Sequence, residues 1–85
     1  MSPEDLIKLQ HNAAQRGQMS MWTVYDRPTD YPHGTIARLH EVPGGPSQCS
    51  IIGELEDLRE RFRQAGFTPI KRDEGDEPQI VETWI

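Results

Sequence analysis

From Glu54 to Ala65 the chain carries one narrow apolar stripe. Leu55, Leu58, Phe62 and Ala65 fall within roughly 80° of a helical wheel, with charges around the rest. Glu54, Glu56 and Asp57 load the first turn and Arg59, Arg61 and Arg63 load the end, which suits the helix dipole. Gly66 supplies a stop. A stripe this narrow can seal one surface and no more, so the remaining apolar residues must assemble the surface it seals.

Those residues lie in short runs that read as strands. Met21–Asp26 is rich in β-branched and aromatic residues, Thr35–Val42 is the second strand, and Gln79–Ile85 runs to the last residue of the sequence. Phe67–Lys71 reads as an edge strand because of Pro69. Gln48–Ile52 is short enough to be strand or loop. Pro28 and Pro32 end the first strand, Pro43–Ser47 forms a second loop, and Arg72–Pro78 a polar turn. Short polar connections favour antiparallel pairing. The fold class is therefore α+β: an antiparallel sheet of about four strands with one helix packed on it, preceded by an N-terminal helix.

That N-terminal helix begins at Ser2-Pro3-Glu4-Asp5, a hydroxyl cap, a first-turn proline and two acids. Leu6, Ile7, Leu9, Ala13 and Ala14 share one broad face, and Gly17 is the stop. Residues 1–20 read as a helical extension of the small α+β domain at 21–85.

Strand alternation places Val81, Thr83 and Ile85 on one face and Ile80, Glu82 and Trp84 on the other. Trp22 and Val24 likewise oppose Met21, Thr23 and Tyr25. Large apolar groups thus stand on both sides of the sheet. Leu55, Leu58 and Phe62 are expected on the face of Val81 and Ile85, leaving Trp22 or Trp84 uncovered. The expected cover is a second copy of the chain, in a homodimer using Leu6, Ile7, Leu9, Trp22 and Trp84; another protein partner is the alternative.

Leu, Ile, Val and Phe make up only 17 of 85 residues, near the boundary below which charged chains stay unfolded, so a small core would profit from association. A net charge of −5 disfavours nucleic acid and anionic membrane surfaces. No apolar run approaches the roughly 20 residues of a membrane helix. With a single cysteine, Cys49, no internal disulfide can form, and the cytoplasm is the expected location.

The segment Met21-Trp22-Thr23-Val24-Tyr25-Asp26-Arg27-Pro28-Thr29-Asp30-Tyr31-Pro32, followed by Ala37-Arg38, resembles the opening of a group of small uncharacterised bacterial proteins. Leu55, Leu58-Arg59, Arg72, Asp76, Pro78-Gln79-Ile80-Val81-Glu82 and Trp84 continue the likeness, which spans residues 21–85. The group brings no activity, cofactor or catalytic residue to carry over.

Candidate chemistry concentrates between residues 26 and 38. Asp26, Arg27, Asp30, Tyr31, His33 and Arg38 could line a site for a small anion, with Arg27 as clamp and Asp30 or His33 as base. The competing reading is an ordered loop whose aspartates bind nearby backbone and whose prolines stiffen its path. His33, His40 and Cys49 lack the close spacing of metal ligands, and Cys49 has no neighbour to activate it. No catalytic residue, metal or cofactor is assigned. The functional expectation is an interaction protein; the alternative is a small-molecule binder or minor enzyme.

Overall fold

A computed structural model describes residues 1–71, 75 and 78–85. Most of the polar turn expected at Arg72–Pro78 lies outside the described residues. Helix α1 spans Pro3–Gln15. The Ser2 hydroxyl accepts the Asp5 N–H (3.2 Å) and the Asp5 carboxylate accepts the Ser2 N–H (3.1 Å), satisfying two donors that the first turn would otherwise leave unpaired. Gly17, at φ +74°, turns the chain into β1, Met19–Asp26.

β2 (Thr35–Val42), β3 (Gly45–Gly53), α2 (Leu55–Gln64), β4 (Pro69–Lys71) and β5 (Ile80–Trp84) follow. The strands form one antiparallel sheet in the order β3-β2-β1-β5-β4. Among the described residues there are five strands, close to the four or so expected: the ambiguous segment is β3, and it starts earlier than residue 48. The β2–β3 turn is consequently tighter than the five-residue loop expected. A Cβ on Gly44 would sit 2.7 Å from Gln18 Oε1, the atom that accepts the Gly44 N–H at 2.6 Å. Glycine there lets the turn press against the start of β1.

Both helices lie on one face of the sheet. Leu6 of α1 and Leu58 and Phe62 of α2 are fully buried against Trp22, Val24, Ala37, Leu39, Ile51, Phe67 and Trp84. Phe62 is the hub, with ring centroids 5.4 Å from Trp84, 5.8 Å from Trp22 and 6.1 Å from Phe67. This reverses the expected arrangement, because the helix covers the Trp22–Trp84 face. The two tryptophans pair directly in register and so share the face that α2 takes; a bulge in the β1–β5 pairing between Val24 and Tyr25 then shifts only the part of β5 that precedes Glu82. Trp84 and Glu82 stay under α2, Val81 also packs against the core, and Ile80 is left on the opposite face.

The boundary expected between residues 20 and 21 falls inside β1. α1 belongs to the same core as the sheet: Leu6 and Ala13 are both fully buried, and Arg16 pairs with Glu41 on β2 at 2.6 Å.

One polar network ties α2 to β5. Glu82, its side chain only 12% exposed, accepts from Arg59 (2.8 and 3.1 Å) and from the Trp84 indole N–H (2.6 Å). Arg59 also holds Glu56 at 2.6 Å, and the hydrogen bonds to Glu82 and then Glu56 raise its pKa further above an already high value.

Three carboxyls sit below the ordinary carboxylate range: Asp5 through its hydrogen bonds with Ser2, Asp30 through Arg38 and Glu41 through Arg16. Each ionises more readily folded than unfolded. Its contribution is therefore complete above the unfolded value near ~4 and is lost as pH falls through the lowered folded values. The melting temperature is expected to stay level from about pH 7 to 5 and to drop below about pH 4. Stability that instead increases on acidification from neutrality would contradict these assignments.

Candidate functional site

The face turned away from the helices is open, and cross-strand register shows what it carries. Met19 pairs with Val42, Met21 with His40, Thr23 with Arg38 and Tyr25 with Ile36; Ile36 in turn pairs with Ile52. On the other flank Thr23 pairs with Thr83, and Thr83 with Ile70. Partners in register share a face. Four large apolar side chains there are about half exposed: Met19 50%, Val42 44%, Ile52 56% and Ile70 44%. Apolarity on both sides of the sheet is thus real.

The residues expected at the interface mostly lie elsewhere. Leu6, Trp22 and Trp84 are at most 1% exposed, and Leu9 is partly buried against the core. All four are covered within the chain because α1 packs beside α2 instead of reaching outward. Ile7, 44% exposed on the outer side of α1, remains available.

The polar loop between β1 and β2 does not gather its side chains into one site. Arg27 adopts φ +51°, a left-handed conformation, and its N–H donates to the Gly34 carbonyl at 2.9 Å. The Tyr31 N–H donates to the Pro28 carbonyl at 3.0 Å, and Pro28 is buried. Asp30 then reaches Arg38 of β2 at 2.5 Å, and that guanidinium lies 5.1 Å over the Tyr25 ring. Asp30 and Arg38 are therefore committed to each other at the open face.

Asp26, Arg27, Tyr31 and His33 border a separate hollow of about 580 Å3, shared with Glu54 and Asp57 at the start of α2. Three carboxylates against one guanidinium make this a poor anion site, so the clamp envisaged for Arg27 is not supported electrostatically. Nor do the six candidates converge. Asp30 and Arg38 form their own pair outside this hollow.

Among the described residues no three of His, Cys, Asp and Glu are grouped to hold a metal ion. Topology separates the imagined ligands: His40 is on the open face, whereas Cys49, half-buried, packs against the core on the other. His40 Nε2 is enclosed without a hydrogen-bond partner, as are Ser20 Oγ and Trp22 Nε1. Among the described residues no helix is long and apolar enough to cross a membrane.

Compared with family models, curated proteins and solved structures, the chain matches none.

Proposed function

We propose that the protein is a non-catalytic interaction module that acts as a homodimer in the cytoplasm, two copies meeting through their open sheet faces. One observation carries this reading. Met19, Val42, Ile52 and Ile70 stand about half exposed on a face that neither helix covers. They stand at separate points of that face, Met19 beside Val42 at one end, Ile52 toward the other end and Ile70 on the β4 edge, and a second copy laid on the face would cover all four together.

Size and charge both suit a second copy. Strands of 8, 8, 9, 3 and 5 residues at ~4.8 Å spacing project roughly 500 Å2 per copy, or ~1,000 Å2 over both copies, the low end of a specific interface. Arg38 is neutralised by Asp30, so two such faces can approach without that pair of cations opposing each other. Two sheets packed face to face give the layered arrangement of a β-sandwich. The acidic hollow beside His33 counts against the rival reading of an anion-binding enzyme, and a different protein partner on the same face is the other outcome to separate.

Sedimentation equilibrium tests the proposal. The wild-type chain should be dimeric at tens of micromolar, whereas Ile52→Asp and Ile70→Asp should each weaken association on the order of 100-fold, or about 2.7 kcal/mol. Both variants should melt near the wild-type temperature, because neither side chain belongs to the core. A wild-type monomer at tens of micromolar would reject the homodimer. A dimer indifferent to both substitutions would move the contact to the outer side of α1 around Ile7.

A further inference from the structure

One flank of β1 is left without a neighbouring strand. β1 begins at Met19, whereas β5 pairs with it only between Trp22 and Tyr25. The Asp26 N–H donates to the Gln79 carbonyl on the β5 side, and alternate residues turn their backbone groups to the same side. The N–H and carbonyl of Ser20 therefore face the flank that β5 has left. α1 walls this flank. At ~100° per residue, Arg16, which reaches Glu41 of β2, lies to one side of the buried Leu6 and Ala13, and Ile7, Gln10, His11 and Ala14 lie to the other. Together with Gln18, Met19 and Ser20, those four border a hollow of about 390 Å3. We infer that this hollow binds a small neutral molecule whose carbonyl and N–H lie side by side, a carboxamide or lactam on a short apolar body.

No Asp, Glu, Lys or Arg borders the hollow, in a chain of which such residues make up 27%. Nothing there offsets the desolvation of an ionic ligand, which selects a neutral one. Gln18 supplies an oriented donor. Its Oε1 accepts the Gly44 N–H at 2.6 Å, which leaves Nε2 as the free end, without a partner among the described residues. Ser20 is the one buried residue of the lining, and its Oγ has no hydrogen-bond partner. Lys71 and Ile80, between which the chain joins β4 to β5, lie toward the Tyr25 end of β1, opposite Ser20. An unpaired hydroxyl inside a fold is costly, and an amide arriving here would also meet the Ser20 backbone as the peptide group of an adjoining strand would. Only Ser20 points this way between Met19 and Trp22, so the flank suits one peptide group rather than a strand. Ile7, Ala14 and Met19 offer the apolar walls, and the volume sets the size as small.

Of this lining only Met19 also stands on the open sheet face, so the site is distinct from the homodimer contact. The test follows backbone and side-chain amide signals of the full chain by NMR during titration with benzamide, with benzoate as its charged counterpart. Benzamide should give saturable shifts centred on Gln18 and Ser20, with half-saturation on the order of 1 mM, and benzoate should bind at least about 10-fold more weakly. Gln18→Glu keeps an oxygen for the Gly44 N–H but removes the donor. It should melt near the wild-type temperature and weaken benzamide about 10-fold. Ala14→Leu, on the exposed side of α1, should fill the hollow and abolish saturation. Ile52→Asp, aimed at the homodimer, should leave benzamide binding unchanged; a loss there would place the ligand in the dimer contact and reject the inference. It is equally overturned if neither benzamide nor δ-valerolactam saturates by about 10 mM, if benzoate binds as well as benzamide, or if both Gln18→Glu and Ala14→Leu bind benzamide as the wild type does. A blocked Val-Thr-Val-Thr peptide that binds about 10-fold more tightly than benzamide would give the flank to a protein strand instead.

Discussion

Phe62→Ala should unfold the protein or bring it to the edge of unfolding, at a cost of about 3–5 kcal/mol. Phe62 is fully buried and stacks on Trp84 and Phe67 while meeting Trp22 at a tilt of 40°. Truncation would remove the one ring shared by three aromatic neighbours drawn from β1, β5 and the α2–β4 connection. Two tryptophans cannot easily collapse into the space, because each is fixed by its own strand and the Trp84 indole is bonded to Glu82. A domain of this length has on the order of 4–13 kcal/mol in total. Thermal unfolding followed by near-ultraviolet circular dichroism should show the tryptophan environment lost or its midpoint lowered by well over ten degrees. An unchanged midpoint would mean that Phe62 is not the hub of the core.

What the sequence disclosed was local. The α2 stripe was readable because a 3.6-residue period survives in any context, and Leu58 and Phe62 are the residues it buries. The first strand was readable from its β-branched and aromatic content, the second as the run between two proline-bearing loops, and α1 from its capping residues. The sheet face that α2 chooses was not readable. Alternation assigns sides only within an unbroken strand; it could not show that Trp22 pairs with Trp84, nor that a bulge between Val24 and Tyr25 turns Ile80 away from the side of Glu82 and Trp84. β3 was ambiguous because Gly45–Gly53 is poor in the residues that mark strands until Ile51. The candidate site suffered from the opposite bias. Polar residues adjacent in sequence suggested a pocket between 26 and 38, but Asp30 is spent on Arg38 and the others look out on carboxylates. The open face is spread over five strands, so that Met19, Val42, Ile52 and Ile70 share it is visible only through register.

A chain beginning at Met21 should fail to fold, although sequence alone reads residues 1–20 as a helical extension of the domain. Three losses would coincide. The first is Leu6, fully buried in the same cluster as Trp22 and Phe62; removing a buried leucine side chain alone costs about 2–5 kcal/mol. The second is the beginning of β1, since Met19 and Ser20 pair with Val42 and Glu41. The third is the anchoring of the β2–β3 turn, where Gln18 accepts the Gly44 N–H and Arg16 holds Glu41. Together these approach or exceed the whole stability of so small a domain. Far-ultraviolet circular dichroism and amide dispersion of the shortened chain should resemble an unfolded polypeptide. Leu6→Ala in the full chain separates the packing term from the strand term, and it should lower the midpoint while keeping the fold. A shortened chain with native dispersion would show that the sheet and α2 close their own core, and that α1 is the accessory element its position in the sequence suggests.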